Sequence, residues 1–343
     1  MASNGMNATT GSAQRRDAWN AARFRPGMTG GLYESYFLRA NHPERPLAFW
    51  IRYTVFCPKG RPQDAQGELW AIWFDGEAQR IVAVKESLPI ADCRFAPDRL
   101  DVRVGNATLT DGLLEGRAAS AGHAVSWRLT FAGGGAPLLL LPESLYAGGF
   151  PKAKALVARP NAVFTGTLTV DGREIAIDGW RGSQNHNWGS RHTDRYAWGQ
   201  VAGFDNAPEA FLECAAAQVR LGPLWTPRLT LLVLRDGDEE IALNGLWQAA
   251  RAHGDYGFFT WTMDSRGPQA RLHGRIEAPA SAFVGLNYLN PPGGSKTCLN
   301  SKLAAAEFTL ERPGRPAKTF VTRSRAAFEI LTDRNDHGIT VAA

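Results

Sequence analysis

The chain is short of cysteine, of helix-like stretches and of long apolar runs, and each shortage removes a class of protein. Its four cysteines are Cys57, Cys93, Cys214 and Cys298. They stand far apart and form no Cys-x-x-Cys pair, which argues against a zinc knuckle or a redox motif. Scattered single thiols read as small buried hydrophobes in a reducing compartment. The greasiest run, Leu138 to Leu141, ends at Pro142, far below the ~20 residues a membrane-spanning helix needs. Met1 to Gly11 is small and polar, without the basic start and apolar core of a secretory signal. The expectation is a soluble cytoplasmic protein. Net charge is only +5, and no Lys/Arg run exceeds a pair. The clustered patch of a nucleic-acid binder is missing. Hydrophobic residues make up 44% and charged residues 21%, the balance of a chain with a core rather than a disordered one.

Catalytic signatures are also scarce. There is no GxGxxG after a strand, no GxxxxGK[ST], no HExxH and no GxSxG. Gly133-Gly134-Gly135 and Gly293-Gly294 read as turns. His186 and His192 have no third metal ligand at a recognisable spacing. The reading therefore includes neither cofactor nor metal.

What is present is β patterning. It begins at Gly31 to Leu38 and hardly stops. Between Pro46 and Cys57, Phe49, Ile51, Tyr53 and Val55 share one face and Trp50, Arg52, Thr54 and Phe56 the other. Asp75-Gly76, Asp171-Gly172 and Asp236-Gly237 are hairpin turn signals. Further strands are expected at Arg195 to Phe204, Glu209 to Val219, Arg228 to Leu234, Glu239 to Asn244, Leu246 to Ala252, Gly257 to Met263, Ala270 to Ala278 and Thr319 to Arg323. Helix candidates are few: Arg15 to Arg25 around Trp19, and one or two turns in Pro151 to Val157. Ser301 to Phe308 reads either way. Many short, regularly spaced strands mean sandwiches or barrels, and about eight strands in a barrel enclose room for one small ligand. The halves echo each other as strand-rich, without an alignable repeat.

One stretch breaks the pattern. Asp178 to His192 packs two Trp, two His, two Arg, two Asn and three Gly into a short span. Two readings fit it: an irregular loop fixing functional side chains, or a polar turn whose Trp rings plug a barrel end. His186 and Trp188 share a face if the segment is extended. Trp180 precedes them and Trp198 follows on the next strand. Downstream, Phe211-Leu212-Glu213 puts an acid beside an aromatic. Facing inward, Glu213 would have its pKa raised and would donate a proton; facing outward, it is an ordinary strand carboxylate. A Trp face stabilises a cation by about 2 kcal/mol or more when water is excluded, and histidine exchanges protons near neutral pH. These parts suit proton-initiated chemistry on an alkene.

The residues His186-Asn187-Trp188-Gly189, the preceding Gly179-Trp180, the following Trp198-Gly199-Gln200 and the opening Tyr33-Glu34-Ser35-Tyr36-Phe37 resemble the carotenoid 1,2-hydratase (hydroxyneurosporene synthase) and AttH-like family, from about residue 30 onward. The resemblance implies an all-β fold of two lipocalin-like (calycin) antiparallel barrels with few short helices. The corresponding division is a flexible tail at 1–25, a first domain at 26–204 and a second at 205–343. It also implies hydration, isomerisation or cyclisation of polyene or isoprenoid substrates, as a hydro-lyase or an isomerase/cyclase. His186 and Trp188 match the family's His-x-Trp, and Phe211-x-Glu213 falls where the hydratases have Tyr-x-Asp. Two departures stand out: Asn185 occupies the place of an Asp, and an amide cannot supply a carboxylic proton; Phe211 lacks the Tyr hydroxyl. The expected site has Glu213 as acid and His186 as base or water activator, with Trp180, Trp188, His192, Trp198, Gln200, Phe211 and Glu34 around the substrate. The expected partner is an apolar small molecule, met through transient membrane contact and without nucleic acid. A carrier or sensor of the same kind of molecule fits the same residues. Nothing in the chain speaks to oligomeric state.

Overall fold

A computed structural model describes residues 15–343. Strand makes up 61% and helix 7%, so the all-β expectation holds. One twelve-stranded sheet forms a nearly closed barrel and one ten-stranded sheet a half-barrel. The first sheet contains β1 (Leu32–Asn41), β2 (Leu47–Cys57), β3 (Gln66–Asp75), β4 (Arg80–Pro89), β5 (Cys93–Phe95), β6 (Asp101–Val104), β7 (Ala107–Thr110), β8 (Leu113–Ser120), β9 (His123–Gly133), β10 (Leu138–Leu139), β11 (Ala153–Val170) and β12 (Arg173–Gly189). The second contains β13 (Arg195–Ala202), β14 (Phe211–Gln218), β17 (Leu229–Asp236), β18 (Glu239–Leu243), β19 (His253–Tyr256), β20 (Thr260–Arg266), β21 (Arg271–Glu277), β22 (Val284–Leu289), β23 (Ser295–Arg312) and β24 (Arg315–Thr332), with a side hairpin of β15 (Arg220–Leu221) and β16 (Leu224–Trp225).

The echo between halves is a repeat of topology. The first sheet runs β4-β3-β2-β1-β12-β11-β9-β8-β7-β6-β5, with β10 on β11; the second runs β18-β17-β14-β13-β24-β23-β21-β20-β19, with β22 on β23. In each, the last strand of the unit pairs back onto its first, β12 on β1 and β24 on β13. The change of sheet falls between Gly189 and Arg195. β13, assigned to the first domain by the expected boundary at 204, therefore pairs in the second sheet.

Several local expectations change. Asp178 to Gly189 is the second half of a regular strand, not an irregular loop, and only 190–194 connects it to β13. Its glycines serve close packing: a Cβ on Gly182 would lie 1.8 Å from the Arg39 carbonyl oxygen. Pro151 to Val157 runs into β11 rather than a helix, and Ser301 to Phe308 lies in β23. Leu246–Arg251, expected as a strand, is a helix, α2; its Leu, Gln, Ala and Arg are good helix formers, and the Gln248 side chain accepts from the Gly245 N–H at its start.

The N-terminal stretch, expected as a tail to residue 25, is described from residue 15 and is packed; Met1 to Gly11 lies outside the described residues. A helix at 15–20, α1, leads into Ala21, Ala22 and Phe24, all buried. Each barrel has its own apolar core. A third cluster, with Trp50, Trp70, Tyr288 and Cys298, joins the two sheets. This is why β2 is buried at all eleven positions: one face lines the first barrel and the other meets the second domain. Among the described residues no helix is long and apolar enough to cross a membrane.

Candidate active site

Strand alternation sorts the expected site residues into two groups. On β12, Asn185 and Asn187 line a cavity of about 160 Å³ between the two sheets. His186 and Trp188 point the other way, with ring centroids 4.7 Å apart as the shared face requires. His186 stacks on Tyr36 at 4.2 Å, and Trp188 joins the apolar cluster at the barrel end with Phe24 and Tyr146.

His186 is fully enclosed by protein groups. Its Nε2 lies 2.8 Å from Glu34 Oε1 and its Nδ1 2.8 Å from the Trp19 carbonyl. A carbonyl only accepts, so Nδ1 carries a proton. Glu34 also accepts the backbone N–H groups of Arg23 at 2.7 Å and Phe24 at 2.8 Å. Both His186 and Glu34 are completely buried. Asn20 exchanges two amide hydrogen bonds with Gln184, both 3.1 Å. The expected base is thus the clamp that ties residues 19–24 across the barrel mouth. Trp180 lies deeper, in the first core against Phe49 and Trp73.

Glu213 is the acid of the cavity. Its strand β14 alternates Leu212, Cys214 and Ala216 into the second core with Glu213, Ala215 and Ala217 toward the cavity. Only 2% of Glu213 is exposed, so the inward alternative holds. Trp198 Nε1 donates to Oε1 at 2.7 Å and Gln200 Nε2 to Oε2 at 2.8 Å. Gln200 is itself held by Arg39 Nε at 2.9 Å and Ser183 Oγ at 2.6 Å, and it donates to Asn185 Oδ1 at 2.9 Å. Burial pushes the Glu213 carboxyl up to about 7, against the pull of the Trp198 and Gln200 hydrogen bonds and the Arg39 charge. A second acid, Glu329, also lines the cavity but pairs with Lys302 Nζ at 2.8 Å. Among the described residues Glu213 has no such cation within reach. Its two oxygens accept from N–H groups, and the carboxyl lines the cavity.

A first prediction follows from these bonds. Trp198→Phe removes a donor that favours the carboxylate, so the Glu213 titration moves upward from about 7. Carbon-detected NMR of the carboxyl reads this; an unchanged or lower midpoint contradicts it.

Of the other expected residues, Trp198 and His192 line the cavity, Gln200 supports Glu213 from behind, and Phe211 is buried in the neighbouring apolar cluster. His192 stacks on Tyr33 at 3.9 Å and donates from Nε2 to the Leu289 carbonyl at 3.0 Å. Burial, with the nearby Arg52 charge, holds it down at about 3, as neutral imidazole. Sequence reasoning missed Arg39, Arg52, Tyr33, Tyr196, Tyr288 and Glu329. The available signal was charge inside strongly apolar strands: Arg39 in β1, and Arg52 between Trp50 and Thr54. Among the described residues no three His, Cys, Asp or Glu side chains cluster as metal ligands, and the four cysteines are unpaired.

No family model matches the chain. Two uncharacterized proteins of Mycobacterium tuberculosis are 25% identical over 325 residues, covering 89% of this chain and 88% of theirs. Among solved structures, the chain superposes on an AttH-like protein of Nitrosomonas europaea with a TM-score of 0.54 at 13% identity, covering 91% of this chain and 96% of that one. Kievitone hydratase of Nectria haematococca gives 0.53 at 16% identity, covering 90% and 91%. CghA gives 0.51 at 11% identity, covering 92% and 95%. At these identities the likeness is one of fold, and the chain has the two-domain β architecture of these structures.

Proposed function

We propose that the chain is an acid–base enzyme, working without a cofactor, that hydrates, isomerises or cyclises an apolar isoprenoid or polyene-like substrate in the interdomain cavity. The observation that carries this reading is Glu213: a buried carboxyl raised to about 7, in a cavity walled by Phe37, Leu140, Leu156, Trp198 and Leu231. A neutral carboxylic acid is a proton donor at working pH, and the apolar wall suits an alkene.

In this scheme Glu213 gives its proton to one alkene carbon and the positive charge develops on the other. The Trp198 ring, whose N–H already holds Oε1, stands beside that charge. Water then adds and the resulting oxonium returns a proton to Glu213. Alternatively an adjacent C–H loses its proton to Glu213, or an internal double bond attacks and the cyclised cation then loses a C–H proton to Glu213. Each route restores the acid, so one carboxyl serves as donor and acceptor. The Asn187 amide, whose Oδ1 has no protein partner, is placed to orient water. That a hydratase shares the fold supports the reaction class. His186 has no part in the proton transfers of this reading, since both its ring nitrogens are taken up by Trp19 and Glu34.

The test is conversion. The protein is incubated with a panel of terpenoid and polyene compounds and products are followed by mass spectrometry, with Glu213→Gln alongside. Conversion lost in the variant supports the reading. Conversion equal in both removes Glu213 from the chemistry, and stoichiometric binding without conversion makes the chain a carrier.

A further inference from the structure

We infer that Arg52, with the hydroxyls of Tyr33, Tyr196 and Tyr288, forms an oxyanion site that holds the single negative charge, a carboxylate or enolate, of an amphipathic substrate whose apolar part lies in the same cavity. All four residues line it.

Arg52 is 4% exposed. Of its five N–H groups, one meets the Ser35 hydroxyl, from Nη2 at 2.6 Å, and Nε has no partner. Among the described residues no carboxylate comes within salt-bridge distance of it. The acids nearest in charge, Glu68 and Glu329, are each taken by another cation: Lys85 Nζ at 2.8 Å and Lys302 Nζ at 2.8 Å. His192, beside them, is neutral. One positive charge is left over in a buried layer. Aromatic faces soften it, with Tyr288 at 4.5 Å and Trp70 at 5.8 Å, but a ring face does not use the N–H directions of a guanidinium. A buried cation without an anion is costly.

The phenols point to the same conclusion. The buried hydroxyls of Tyr36, Tyr53 and Tyr146 all donate to backbone carbonyls. The hydroxyls of Tyr33, Tyr196 and Tyr288, which line the cavity, have no nitrogen or oxygen partner among the described residues; the Cys298 thiol is the hydrogen-bond partner of Tyr196 and Tyr288. Burial raises all three above the ordinary tyrosine range, so they remain donors at neutral pH. The Tyr33 hydroxyl, the Tyr196 and Tyr288 hydroxyls with only a thiol as partner, and a guanidinium without an anion stand around one cavity and suit an oxyanion. The one guanidinium that lines the cavity matches a ligand with one negative charge.

This rests on the reading of the cavity as a substrate site, but not on Glu213 as its acid. The cavity of about 160 Å³ compares with the ~150 Å³ apolar cavity that takes up benzene, so a six-membered ring with one head group is the probe size. Cyclohexanecarboxylate and cyclohexylmethanol are titrated by ligand-observed NMR. The carboxylate is expected to bind at least about tenfold more tightly. Arg52→Met should abolish that ratio while cyclohexylmethanol affinity stays the same, which also reports an intact fold. Tyr33→Phe and Tyr288→Phe, which keep the packing, should each reduce the ratio, and so keep the test decisive if Arg52→Met does not fold. Glu213→Gln should leave the ratio in place, so loss of turnover chemistry and loss of this site are separate results. A carboxylate that does not bind, or binds no better than the alcohol, overturns the inference. So does a ratio that survives these substitutions.

Discussion

Glu213→Gln is expected to lower turnover by about 10²–10⁴-fold, the usual worth of a positioned general acid, while the wild-type rate falls as pH rises through about 7. The sign follows from the role. The donor must hold its proton, which it does below its midpoint, so kcat/KM is level in acid and drops by about tenfold per pH unit above 7. A rate that rose through 7 would mark Glu213 as a base. The same shift predicts a stability change. Unfolded, the carboxyl returns to its ordinary value of 4.5. Between 4.5 and 7 the folded chain keeps a proton that the unfolded chain has lost, so stability falls as pH rises across that window and is level above it. The penalty is on the order of 3 kcal/mol at its limit. Glutamine carries no such penalty, although its amide nitrogen must face Trp198 or Gln200, which both donate. Thermal melts at pH 5 and pH 8 separate the two effects. The variant starts below wild type at pH 5 and the deficit shrinks at pH 8. A deficit that is constant with pH would mean that Glu213 does not titrate there.

The chain announced its fold more openly than its site. Hairpin turns at Asp75-Gly76, Asp171-Gly172 and Asp236-Gly237 fell between paired strands. Patterns such as Phe49, Ile51, Tyr53 and Val55 against Trp50, Arg52 and Thr54 gave true faces. What the alternation could not say is which face is which. A strand buried on both sides shows no polar face, and one residue of register exchanges barrel interior for domain interface. His186 and Trp188 were therefore rightly placed together, yet Asn185 and Asn187 reach the cavity. β12 looked like a loop for the same reason. Its polar residues find partners in two different places, Ser183 and Asn185 at the domain interface and Gln184 and His186 at the barrel mouth. The buried Arg39 and Arg52 were hidden because their context lies in the other half of the chain: Arg39 reaches Gln200, and Arg52 packs on Tyr288, each more than a hundred and fifty residues away.

His186→Ala should cost stability rather than chemistry, by about 3–5 kcal/mol, the usual loss when one partner of a buried pair is removed. The substitution leaves Glu34 completely buried with only backbone donors and the more distant Tyr36 hydroxyl at 3.4 Å. It frees the Trp19 carbonyl and empties the space stacked between Tyr36 and Trp188. Three consequences can be measured together. Chemical denaturation gives the loss directly. A double-mutant cycle with Glu34→Gln should show that the pair loses less than the sum of its members, because the second substitution removes the charge that the first left unpaired. Trypsin should cut faster after Arg23, since residues 19–24 are tied down through His186, Glu34 and the Asn20–Gln184 amide pair. Turnover per folded molecule should stay within a few-fold of wild type, because His186 faces away from the cavity that holds Glu213. A fall in turnover comparable to that of Glu213→Gln, in a variant that melts like wild type, would reverse the assignment and return His186 to the chemistry. The two substitutions thus test a division of β12 by face: His186 and Gln184 hold the N-terminal segment in place on the barrel side, and Asn185 and Asn187 face the cavity of the proposed reaction on the other.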